Sequence, residues 1–212
     1  IVGRNMASLT DCLVIGESIP GGTTTALAVL RAFDFDAKTS SSIPTNPIKL
    51  KNEVVNSALK RIDSDHPYSI LAKVGDPMIA FVAGMLSSAS SVSKVMLAGG
   101  TQMTAVLAFA SKIGFNEENT AIGTTSYITN DQNANFTNVV KQIADIPAIS
   151  VNPGLNNSKY SGLKAFSEGF GKEGAGAGGS IISSMLKTGN NSAKFLNLAE
   201  QEYDRLTTLS GT

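Results

Sequence analysis

The apolar run Leu13-Val14-Ile15 stops at Gly16, and a carboxylate follows at once in Glu17. Two adjacent glycines, Gly21 and Gly22, then lead through Thr23, Thr24 and Thr25 into the apolar helical pattern of Ala26, Leu27, Val29 and Leu30. That order predicts a strand, a glycine-rich turn and a helix N-terminus. The turn leaves backbone N–H groups without intrahelical partners, and it lies at the positive end of the helix dipole. Together they make a ready anion site, with the threonine hydroxyls as further donors. A chain built this way binds a phosphate and sets an acidic residue beside it.

The same alternation recurs. β-rich runs are expected at Leu13–Gly16, Val95–Gly99, Ala121–Thr129 and Ile146–Val151. Helical patterns lie between and after them: Leu50 to Leu59, Met78 to Ala89, Thr101–Ile113, Phe136–Ile143, Ser180–Leu186 and Ser192–Leu206. Met78 to Ala89 is apolar almost all round and is expected to be buried. Strands alternating with helices predict an α/β fold: a Rossmann-like, doubly wound, mainly parallel sheet with helices on both faces. The polar stretch Asp36–Pro47 is a loop, long for a connector. With 212 residues and no linker, the sequence reads as one α/β domain over residues 1–212. Because it opens at Ile1, in a helical pattern leading to a strand, it reads as a fragment whose upstream part is missing.

Charge and residue counts narrow the chemistry. Seventeen basic and seventeen acidic residues leave no excess to hold a nucleic-acid backbone. No apolar stretch is long enough to span a bilayer, and no signal-peptide pattern opens the chain, which predicts a cytoplasmic protein. One cysteine, Cys12, and one histidine, His66, cannot form a His/Cys zinc site. His66 lies in the polar run Asp63-Ser64-Asp65-His66-Pro67 without a G-x-S-x-G motif, as a loop or helix-cap residue would. Acid–base work therefore falls to carboxylates or lysine.

A second glycine cluster, Gly169 to Gly179, precedes the apolar helix from Ser180 and carries Lys172 and Glu173. Gly169 to Gly174 spells G-x-G-x-x-G, but a dinucleotide fingerprint follows a buried strand, and Leu163 to Glu168 looks helical. The better reading is a backbone that comes very close to a ligand or a neighbouring element. In a parallel sheet such turns converge at the carboxyl ends of the strands, so both glycine turns and both glutamates are expected in one site.

These segments, taken in order, resemble the nicotinate-nucleotide–dimethylbenzimidazole phosphoribosyltransferases, and most closely their archaeal and cyanobacterial branch. Gly16 to Ala26 resembles that family's G-E-x-x-x-G-[NG]-T-T-T-A. Lys51, Val54, Val55, Ala58 and Leu59 match its L-x-x-K-x-x-V-[VI]-x-x-A-L helix. Val74-Gly75 and Ile79-Ala80 through Ala83-Gly84 match its V-G-x-x-x-I-A-x-x-A-G. Glu173 to Ala177 match its late G-E-G-x-G-A, with Lys172 in place of the first glycine.

The resemblance implies transfer of the 5-phosphoribosyl group of nicotinate mononucleotide to a benzimidazole or purine-type base. It implies no metal and no dissociable cofactor, and it favours a homodimer. It maps the base that deprotonates the attacking azole onto Glu173, and a supporting carboxylate onto Glu17. The 5′-phosphate maps onto Gly21, Gly22 and Thr23, with Lys51 as an anion partner and Gly174 and Gly176 in the late motif. The sequence departs from the better-studied members at Ala98, Gly22 and Asn156 to Lys159, which touch the base pocket and ribose contacts.

Plainer roles stand beside these. Lys51 also reads as a solvated helix residue, Glu17 as a turn cap, Thr23 to Thr25 as N-cap residues and Asp76 as a helix cap. Gly99-Gly100-Thr101-Gln102 reads as a helix start and equally as a further ligand turn. A non-catalytic relative that only holds a nucleotide or phosphate needs the first glycine turn alone. A dinucleotide-dependent oxidoreductase needs an acidic ribose partner that the sequence does not show.

Overall fold

The computed structural model describes residues 1–209. Four strands, β1 (Cys12–Gly16), β2 (Lys94–Ala98), β3 (Thr120–Thr125) and β4 (Ala148–Val151), form one parallel sheet in the order β1-β2-β3-β4. Helices cover both faces, giving the doubly wound α/β architecture that the alternation predicts. β2 lies between two strands and is buried from Val95 to Ala98, hence its unbroken apolar run.

One layer of helices comprises α1 (Val2–Ala7), α2 (Gly22–Ala32), α5 (Pro77–Ala89) and α6 (Thr101–Ile113), packed on one another and on α8 (Phe136–Ile143). Leu30, Ile79, Leu86, Leu97 and Phe109 fill the core between this layer and the sheet. α3 (Ile48–Leu59) and α4 (Pro67–Val74) flank α2. The opposite layer rests on α10 (Ala177–Thr188), which lies across all four strands. A short α9 (Ser161–Lys164) precedes it, and α11 (Ser192–Leu209) follows.

Three local details differ from the sequence reading. The third strand ends at Thr125, and Ser126–Thr129 turns into a short helix, α7. Thr125 N–H donates to the Glu173 carboxylate and Thr125 Oγ1 to the Lys172 carbonyl, so the ladder gives way to contacts with the late glycine segment. α4 is absent from the periodicity because its eight residues are too few to establish one; Pro67 opens it, with His66 as its N-cap. α5 is buried along one side only, and Phe81 is 56% exposed on the other.

The late glycines explain how α10 reaches the sheet. A Cβ at Gly178 would lie 2.0 Å from the Thr124 carbonyl carbon, and one at Gly179 would lie 2.4 Å from Ala98 Cβ. The close approach that the glycine cluster predicts is thus made to the strands themselves. Gly178→Ala is expected to lower stability by about 1–3 kcal/mol or more through this clash. Gly174→Ala, which meets nothing within 4 Å, should stay within about 0.5 kcal/mol of the parent. Urea denaturation midpoints of the two variants check this.

Candidate functional site

β1, β2 and β3 deliver their carboxyl ends to one edge of the sheet, and a cleft of about 410 Å³ opens there. Glu17 and Thr23 line it from the first glycine turn, Gly100 to Gln102 from the second, and Lys172 to Ala175 from the late segment. Ser40, Ser41 and Ser42 of the long loop close the remaining side. The two glutamates expected to meet therefore do share one cavity.

Glu173 is 8% exposed. Its Oε2 accepts from Thr125 N–H at 2.7 Å and its Oε1 from Gly178 N–H at 2.7 Å. The second of these donors lies in the first turn of α10, where free N–H groups favour a carboxylate. Burial pushes the Glu173 carboxyl above the ordinary carboxylate value, and the hydrogen bonds from Gly178 and Thr125 offset only part of that. The result is an anchored carboxylate with heightened proton affinity.

Glu17 is also raised, first by burial and then by the nearby Asp76 charge, against a lowering hydrogen bond from Ile19. Its Oε2 accepts from Ile19 N–H at 2.9 Å, so it caps the turn, and from Gln102 Nε2 at 3.0 Å. The Gly99 to Gln102 segment thereby joins the site. Gly22 makes room for that contact: a Cβ there would fall 2.5 Å from Gln102 Nε2. The glycine that replaces the family's alternative asparagine is thus matched to Gln102.

The first helix turn is capped by Gly21 in the left-handed conformation (φ 75°), with no threonine side-chain cap. Thr23 lines the cleft, whereas Gly21 and Gly22 do not. Gly174 lines the cleft in open space. Gly176 (φ 71°) is a packing residue: a Cβ would lie 2.6 Å from the Ala98 carbonyl oxygen. Asp76 caps α5 by accepting from Ile79 N–H at 2.9 Å. Ser158, Lys159 and Tyr160 turn to α11, where Glu200 accepts from Ser158 Oγ and Lys159 N–H. The G-x-G-x-x-G spelling follows α9 and not a strand.

Lys51 does not line this cleft. Its buried ammonium donates to the Ser40 carbonyl at 2.6 Å from behind the loop. Lys172 reaches the same loop from the other direction, with Nζ 2.8 Å from Asp131 Oδ2 and 3.5 Å from Ser40 Oγ. Ser40 Oγ donates to Asp131 as well. Burial alone would raise the Asp131 carboxyl, but hydrogen bonds from Lys172, Ser40 and Asn133 and the Lys172 charge hold it below the ordinary value. Nothing in the sequence marks Asp131, and the serines stand out only as part of the long Asp36–Pro47 loop, a length that often goes with function. Lys172 appeared only as a departure from a glycine, and that departure was the available signal.

The phosphoribosyltransferase family model matches residues 1–128. The chain belongs to the phosphoribosyltransferase family. It is 44% identical over 206 residues to a UPF0284 protein of Archaeoglobus fulgidus, covering 97% of this chain and 58% of that protein. A UPF0284 protein of Sulfurisphaera tokodaii is 42% identical over 210 residues, covering 98% of this chain and 59% of the relative. A third, from Methanothermobacter thermautotrophicus, is 43% identical over 196 residues, covering 88% and 54%. The chain thus spans less than two thirds of the length of the relatives it matches. Family membership agrees with the ordered motifs in the sequence. Among the described residues, no helix is long and apolar enough to cross a membrane, and no group of three or more His, Cys, Asp and Glu is placed to hold a metal.

The Lys51 ammonium has a pKa near 8 in place of 10.5, lowered chiefly by burial and then by the Lys172 charge, with Asp131 acting against them. The folded value lies below the unfolded one, so the folded state gains stability as pH rises from about 8 to 10.5 and loses that increment as pH falls through 8. Lys51→Met is expected to remove this alkaline gain, read from denaturation midpoints across that pH range. The Lys51 side-chain resonances in the parent should titrate near pH 8.

Proposed function

We propose that this family member transfers the 5-phosphoribosyl group of nicotinate mononucleotide to a benzimidazole or purine-type base, with Glu173 as the general base. The observation that carries the reading is the buried Glu173 carboxylate, held by two backbone N–H groups in the cleft that Thr23 and Glu17 also line. In this reaction an azole nitrogen bonds to the anomeric carbon as the bond to nicotinate breaks. The configuration inverts, and the azole proton passes to Glu173. A carboxylate whose proton affinity is raised by burial suits that step, because it holds the proton taken from the azole more tightly than an exposed carboxylate would. Each oxygen retains a lone pair after accepting its N–H group.

The 5′-phosphate lies at the first helix turn, where Thr23 meets it in the cleft and the helix N-terminus opened by Gly21 and Gly22 adds its positive end. Glu17 orients the ribose through Oε1, since Oε2 is engaged by Ile19 and Gln102. Lys51 supports the facing wall by holding the Ser40 carbonyl. Gly174 leaves the mouth open beside Glu173, so that a flat base can reach it.

A second reading, a relative that binds a phosphorylated ligand without transferring it, draws on one observation. The contact of Glu173 with Gly178 N–H, in the first turn of α10, also serves to cap that helix. The test uses the full-length protein with nicotinate mononucleotide and a panel of bases, including dimethylbenzimidazole and adenine, with nicotinate release followed by chromatography. Release is expected, and Glu173→Gln should slow it by about a hundredfold or more. The acid limb of the pH profile should fall above the ordinary carboxylate range. No release with any base would favour the binding reading, and an unchanged rate in Glu173→Gln would remove the role given to that residue.

A further inference from the structure

The segment Thr39 to Ser42 separates two cavities. Ser40 to Ser42 face the cleft described above, while Thr39 faces a second cavity of about 320 Å³ on the other side. Its lining is distinctive in charge. Arg31, Lys38 and Lys51 contribute cations, Asn52, Gln132 and Asn133 contribute amides, and no aspartate or glutamate lines it. Neither Arg31 nor Lys38 forms an ion pair with a carboxylate among the described residues. The buried Lys51 ammonium uses one donor, on the Ser40 carbonyl, and has others to offer. Arg31 and Lys51 sit on neighbouring helices, and both of Lys38's backbone neighbours in hydrogen bonding come from Asn135, so the cations are held by separate elements.

Three cations around one cavity with no carboxylate in its lining offer converging positive charge to an anion. A guanidinium offers paired donors to phosphate oxygens, and ammonium groups add point charge. The amides supply donors and acceptors for a hydroxylated remainder. We propose that this second cavity is an anion site that takes a phosphate monoester, separate from the cleft that holds Glu173. The inference does not depend on the reaction proposed for that cleft. Its link to the cleft is Lys51, since an anion beside the ammonium favours its charged form and with it the hydrogen bond to Ser40.

The test is calorimetric titration of the full-length protein with inorganic phosphate and with ribose 5-phosphate, in parallel with the Arg31→Gln/Lys38→Gln double variant. Two sites are expected in the parent, one of them weakened by about tenfold or more in the double variant, as loss of charge-assisted hydrogen bonds implies. Lys38→Gln alone, at an exposed position, should weaken the same site by several-fold and guards against a folding defect in the double variant. At pH 8 binding to that site should be accompanied by proton uptake that Lys51→Met abolishes. A single site in the parent that disappears in the double variant would uphold this inference and count against phosphate binding in the Glu173 cleft. Sites unaltered by both variants, or no saturable binding of either probe, would overturn it.

Discussion

The structure depends on one close approach, that of the late glycine segment to the carboxyl ends of β1, β2 and β3. Gly176 and Gly179 meet Ala98 and Gly178 meets Thr124 at distances that a side chain would forbid, and Gly16 and Gly123 lie close beside them. This contact lets α10 lie on the sheet and brings its N-terminal N–H groups to the edge where the strands end. Glu173 then has a fixed place, because one oxygen is tied to the helix and the other to the strand. A carboxylate bound to two rigid elements keeps its position without relying on its own rotamer preferences, as a positioned acid–base group requires.

Around that anchored acid the charges are distributed unevenly. The carboxylates of Glu17 and Glu173 occupy the sheet side, with their proton affinity raised by burial. The cations Lys51 and Lys172 occupy the serine-loop side, where Asp131 pairs with only one of them. A buried pair such as Lys172 and Asp131 adds little to net stability compared with an apolar pair, yet removing one partner leaves a costly charge. Its structural effect is to join three segments that are remote in sequence: the serine loop, the start of the Asp131 turn and the loop bearing Glu173.

Much of this was legible in the residues. The alternation of apolar runs gave the parallel sheet, and α6 and α8 have the limits that their patterns predict. The glycine turns were readable because glycine marks positions where the backbone needs unusual φ or close contact, as at Gly21 and Gly178. Asp76 was readable as a cap because its signal is local. Less visible were features that only tertiary contact creates. β3 stops at Thr125 because a distant glutamate takes its N–H group, not because Ser126 or Tyr127 resists a strand. The Ser40 to Ser42 wall has no periodicity, and the Lys51 ammonium is turned away from the first cleft by a loop carbonyl that no spacing rule could foretell.

The strand order β1-β2-β3-β4 has a kinetic consequence. Each new strand adds beside the last, so the sheet grows by pairing neighbours as the polypeptide lengthens. The cleft, by contrast, needs Glu17 and Glu173 together, two residues separated by most of the sequence. Such long-range closure is slow and comes late in folding. A nascent chain that has formed all four strands therefore still lacks the complete cleft until the glycine segment docks, so the cleft is assembled only after the sheet that carries it.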